Sequence, residues 1–225
     1  MKKKEKRASR ARRTTLFAAF VAVVAIVVAG SALAAQFSGG PELYRAALNP
    51  VPHDPAADAG SNVSGHAKVW TTTRGTVKVR VTARGLSPNL PHAMHIHGKE
   101  AAGEIAMCPG ADRRNDLVDD GLIETVEGLE DYGGILVSFT TSGDTSPASA
   151  LSLDRMPTAK QNGLLKYKRT FEIPASVASR LGELHVVVHG ADLNGDGAYG
   201  GRTTALGAPL EAELPVACGE LTRDR

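Results

Sequence analysis

Between Thr76 and Ala83 the chain reads TVKVRVTA, with Val77, Val79 and Val81 alternating against Lys78, Arg80 and Thr82. A period of two sends one set to a buried face and the other to solvent, which an α-helix of period 3.6 cannot do with the same residues. An Arg74-Gly75 turn and the preceding GHAKVWTTT complete a hairpin. Segments of similar character recur at HAMHIHG (92–98), ILVSFTT (135–141), KYKRTFEI (166–173), GELHVVVH (182–189) and PLEAELPVA (209–217). With 24 Gly and 12 Pro among 225 residues and only 4% aromatics, a barrel or sandwich of short strands is expected rather than a helical bundle. Residues 101–130 have no clear period and read as a long surface excursion.

The first 13 residues hold eight Lys or Arg against Glu5, so the remaining chain carries 18 basic and 23 acidic groups. A net negative domain gives no footprint for nucleic acid, which is excluded as a partner. Leu16–Ala35 is a charge-free run of twenty residues, long enough to span a bilayer as one N-terminal helix, while Ala32-Leu33-Ala34 also offers a signal-peptidase site. Residues 1–13 are thus a basic cytoplasmic tail and 14–35 a signal anchor or a signal peptide. On either reading the rest is extracytoplasmic, anchored in the cell membrane or secreted. Residues 36–61, with Pro41, Pro50, Pro52 and Pro55, read as an extended linker in which His53 is solvated. The folded domain is placed at 62–221 and a short tail at 222–225.

Cys108 and Cys218 are the two cysteines. In an exported chain they are expected to form a disulfide tying the long excursion to the last strand. His95 and His97 lie one residue apart on a strand and share a face, opposite Met94 and Ile96. His185 and His189 do the same in HVVVH. An HxH pair supplies two imidazoles to one metal ion, and is equally at home as an exposed strand pair.

The order of motifs says more. GLSPNLPHAMHIHG, a loop cysteine at Cys108, VVVHGADLNGDG and a terminal VACGEL resemble the copper/zinc superoxide dismutase family over residues 62–221. The resemblance implies an all-β, eight-stranded Greek-key barrel and a Cys108–Cys218 bridge. It also implies copper ligands at His95, His97 and His189, with superoxide or copper ion as the partner. The departures are as informative. No histidine lies between His97 and His185, where the family keeps its bridging imidazole and the rest of its zinc ligands, so copper without zinc is expected. Pro215 stands three residues before Cys218, where the family has the arginine that guides superoxide. Arg202, in the loop after His189, could substitute for it, and His92 or His185 could add a fourth ligand to copper.

Asp192–Gly197, DLNGDG, matches the start of a calcium loop, but Thr203 occupies its twelfth position and a polar turn explains it as well. The acidic NDLVDDGLIE (115–124) reads as a solvated loop, and no catalytic residue can be named. The expectation is therefore an exported, membrane-tethered dismutase-like protein with a stripped-down copper site. The alternatives are a non-catalytic copper-binding protein and a degenerate barrel that binds a partner.

Overall fold

The computed structural model describes residues 40–57, 59–72 and 75–224. The expected membrane segment lies outside them, and among the described residues no helix is long and apolar enough to cross a membrane. The described residues form nine strands: β1 (Leu43–Pro50), β2 (Ser64–Thr71), β3 (Thr76–Arg84), β4 (Met94–Gly98), β5 (Gly134–Ser138), β6 (Leu165–Glu172), β7 (His185–His189), β8 (Pro215–Glu220) and β9 (Thr222–Arg223). They form one antiparallel sheet in the order β5-β4-β7-β8-β1-β2-β3-β6, with β9 added to β1. The all-β expectation holds.

The period-two pattern sets the register. Val77, Val79 and Val81 pair with Thr71, Val69 and Ala67 on β2 and with Phe171, Arg169 and Tyr167 on β6. The valines of β2 and β3 join Met94, Ile96, Val186, Val188 and Leu214 in the main core. A one-residue slip would turn Lys78 and Arg80 inward, so burial fixes the pairing. The two end strands, β5 and β6, are joined by side chains. Phe139, just past β5, stacks on Tyr167 at 5.7 Å, and the Tyr167 hydroxyl donates to the Thr140 carbonyl at 3.0 Å. The sheet thus curls toward a barrel whose seam is closed by these contacts.

Three differences from the sequence reading matter. The segment expected to be a linker contains β1, with Tyr44, Ala46 and Leu48 in the main core. Small Ala46, interposed between larger side chains and flanked by prolines, hides the alternation. His53, expected to be solvated, is buried: its Nε2–H donates to the Pro215 carbonyl at 2.8 Å and its Nδ1 accepts from the Ile123 amide at 2.9 Å. The segment PLEAELPVA begins with a helical turn, Leu210–Glu213, and becomes strand only at Pro215, while β9 occupies part of the expected tail.

The excursion is not simply surface. It ends in α1 (Thr125–Tyr132), capped reciprocally by Glu124 and Glu127. Beneath it Val51, Ile123, Tyr132, Val187 and Cys218 make a second apolar cluster. Hence β4 and β7 are buried on both faces. Met94, Ile96, Val186 and Val188 face the main core, while the histidines face the excursion. The Cys108–Cys218 disulfide is formed and closes a loop of 110 positions.

Candidate metal centre

His95, His97 and His189 come together. β4 supplies the first two, and β7 runs antiparallel beside it with Val187 opposite His95 and His185 opposite His97. Ring centroids lie 5.5 Å apart for His95–His97, 5.0 Å for His95–His189 and 5.6 Å for His97–His189. One ligand-capable nitrogen from each ring lies within 4.8 Å of the others, and all three residues are buried.

Each ring is fixed by one hydrogen bond to a backbone carbonyl, which can only accept. His95 Nε2–H donates to Ala150 at 3.0 Å, His97 Nδ1–H to Gly133 at 2.9 Å and His189 Nδ1–H to Glu213 at 2.7 Å. Those bonds leave His95 Nδ1, His97 Nε2 and His189 Nε2 as bare lone pairs, and these three nitrogens are buried without a hydrogen-bond partner. A buried unsatisfied polar atom is costly, and three of them facing one point is an arrangement that a cation resolves. Burial first, and then the neighbouring imidazoles, push the His95 ring well below the usual histidine range and the His97 ring down to about 3. Burial takes the His189 ring down to about 4. All three are therefore neutral at physiological pH, the form that binds metals.

The supports come from α1 and the chain that follows it. Tyr132 packs edge-on against His97 with centroids 4.6 Å apart, and its hydroxyl donates to the Thr125 carbonyl at 2.8 Å. The Thr125 hydroxyl donates to the Glu213 carbonyl at 2.5 Å, the same oxygen that orients His189. Gly133, which orients His97, has φ +77°, and a Cβ there would collide with the Gly98 carbonyl. Only glycine brings that backbone so close to β4.

Other expected residues fall elsewhere. His92 is buried behind the site, against the His189 carbonyl and Tyr199, and is not part of the cluster. His185 also stands apart, beside the disulfide in a pocket with Met107 and Glu220. Pro215 offers no cation, and its carbonyl is taken by His53. Arg202 is ion-paired with Glu124, whose carboxylate is buried. The acidic run expected to be solvated thus contributes a buried anion and the capping box, and Thr125, Tyr132 and Glu124 carry no sequence motif that marks them. The Asp192–Gly197 turn is occupied by its own backbone, with Asp192 accepting from Gly195 and Gly197.

The site opens through a pocket of about 130 Å³ whose lining includes His95, His189, Ile135, Leu151, Leu206 and Thr125. Its wall is almost wholly apolar, and no Lys or Arg lines it.

No family model matches this chain, and no curated relative matches it. Among solved structures the chain is similar to superoxide dismutase 5 of Candida albicans. A glutamate-to-glutamine mutant of that protein matches at 14% identity with a TM-score of 0.37, covering 83% of this chain and 94% of that one. Its Cu(II) form matches at 16% identity with a TM-score of 0.35, again covering 83% and 94%. A likeness of this order leaves the chemistry to be read from the three histidines themselves.

Proposed function

We propose that this chain is an exported, membrane-tethered copper protein of the superoxide dismutase type, with a copper-only site held by His95, His97 and His189, and that it removes superoxide. The observation that carries the proposal is the set of three buried, unpartnered imidazole nitrogens with their tautomers fixed from behind. The set is chemically apt: neutral imidazoles suit copper, and cupric ion stands above zinc in the affinity order for nitrogen donors. Among the described residues it is also the one His/Cys/Asp/Glu grouping close enough to hold an ion. The disulfide supports an oxidising compartment.

Copper held by these three rings would supply the one-electron chemistry by which two superoxides and two protons become dioxygen and hydrogen peroxide. The protein's part is to hold and expose. Ala150, Gly133 and Glu213 carbonyls keep each ring aimed inward. Tyr132 closes the α1 side, while the pocket between Leu151 and Leu206 admits a small molecule. Missing from that pocket is a cation to attract superoxide, and Arg202 is neutralised by Glu124. This favours a second reading, in which the site binds copper without rapid turnover. Pulse radiolysis of the copper-loaded protein across a salt series separates the two. Dismutation with weak salt dependence supports the enzyme, and copper uptake without dismutation supports the binder.

A further inference from the structure

The copper site leaves unused a concentration of positive charge on one outward side of the sheet. Along one row Arg45 on β1 faces Lys68 on β2, Lys68 faces Arg80 on β3, and Arg80 faces Lys168 on β6. Four cations thus cross four adjacent strands, a span of about 14 Å at the usual strand spacing. The next rows add Lys78 opposite Trp70, Lys166 opposite Thr82 and Arg84 opposite Ser64. Like charges directly opposite each other destabilise a sheet, so folding alone gives no reason for the row. Among the described residues Arg45 is ion-paired with Asp224 at 2.7 Å, and the other six cations have no ion pair. Residues 14–225 carry five more acidic than basic groups, which makes the clustering on this face a strong asymmetry. Trp70, the chain's single tryptophan, sits among these cations, with Lys78 Nζ 5.7 Å and Arg80 Cζ 5.5 Å from its ring centroid.

We propose that this face docks on anionic lipid headgroups at the surface of a bilayer. A broad sheet face studded with unpaired cations complements an extended array of negative charge better than it does a single small ion. The proposal rests on reading residues 14–35 as an uncleaved anchor. From Ala35 to Leu43, where β1 begins, is eight residues, so the start of the sheet stays within about 28 Å of the end of the apolar run. That tether keeps the face at high effective concentration beside the headgroups. Docking would fix how the domain sits on the membrane, since the other side of these four strands is buried in the main core.

Trp70 is a built-in probe. The full chain is reconstituted into vesicles of phosphatidylcholine alone or with about one-third phosphatidylglycerol, each containing headgroup-spin-labelled lipid as quencher. Expected are Trp70 quenching in the anionic vesicles only and its loss near 1 M salt, where the screening length is about 3 Å. Arg80→Gln/Lys168→Gln should lower the docked-to-undocked ratio about 25-fold, roughly fivefold per cation, with copper uptake unchanged. Should the double variant not fold, Lys168→Gln alone reads the same effect at about fivefold. Retention after alkaline washing reports the anchor separately. A retained protein with no quenching, or with equal quenching in both vesicles, overturns the docking and leaves the anchor standing. A released protein means that the anchor reading fails, and salt-sensitive sedimentation with anionic vesicles then upholds the face while its absence overturns it. Protection of Trp70 by soluble polyphosphate without response to anionic vesicles overturns the bilayer in favour of a free polyanion.

Discussion

Removing the Cys108–Cys218 bridge tests how the face that carries the three histidines is held. The bridge closes 110 positions. In the chain-entropy account a loop of that length constrains the unfolded chain by about 4.7 kcal/mol, a large part of the roughly 5–15 kcal/mol by which domains are stable. It also reaches the site. Cys218 lies opposite Val187 on β7, and both pack in the cluster beneath α1 with Tyr132, which contacts His97. The double variant Cys108→Ser/Cys218→Ser should therefore lose about 4–5 kcal/mol in urea unfolding. It should also bind copper more weakly than the parent, because the excursion that carries α1 is no longer tied to β8. A loss below about 1 kcal/mol with unchanged copper affinity would refute both the entropic estimate and the coupling.

Six histidines, His53, His92, His95, His97, His185 and His189, have their pKa lowered, each chiefly by burial. The native state refuses protons that the unfolded chain accepts, so the histidines' contribution to metal-free stability should be fully present above the unfolded value of about 6.5 and fall as pH drops below it. The slope should reach up to about 1.4 kcal/mol per pH unit for each histidine titrating, measured by urea midpoints across pH; stability rising on acidification would contradict this. Gly133→Ala, which places a Cβ against the Gly98 carbonyl at positive φ, should cost at least about 1–2 kcal/mol and weaken copper binding by displacing the His97 acceptor. Unchanged unfolding midpoint and copper affinity would show that the close approach is not needed. Leu206→Lys at the apolar mouth should raise the dismutation rate several-fold at low salt and make it fall with added salt, and a rate indifferent to the new charge would place entry elsewhere.

Much of this was legible because the pattern of the strands is strict. Val77, Val79 and Val81 specify β3 and its partners, and the HIH and HVVVH segments show which imidazoles share a face. What stayed hidden was less regular. β1 alternates Tyr44, Ala46 and Leu48, but four prolines from Pro41 to Pro55 and the small Ala46 mask it. In α1 the capping partners are two glutamates rather than a serine or threonine. Gly128, a poor helix former, is required there because a Cβ would meet the Tyr132 ring at 2.5 Å. The burial of Glu124 and His53 comes from contacts with Arg202 and with Pro215, far away in sequence, which no local pattern encodes.

Copper K-edge absorption on the protein loaded with copper, read beside stoichiometry for the parent and for His95→Gln, His97→Gln and His189→Gln, tests the central claim most directly. The account predicts one copper per chain, with imidazole scattering from three rings at about 2.0 Å. It also predicts severe loss of copper in each variant, with the fold retained. Copper retained undiminished by any of the three variants, or ligation by sulfur or carboxylate in place of those imidazoles, would contradict it.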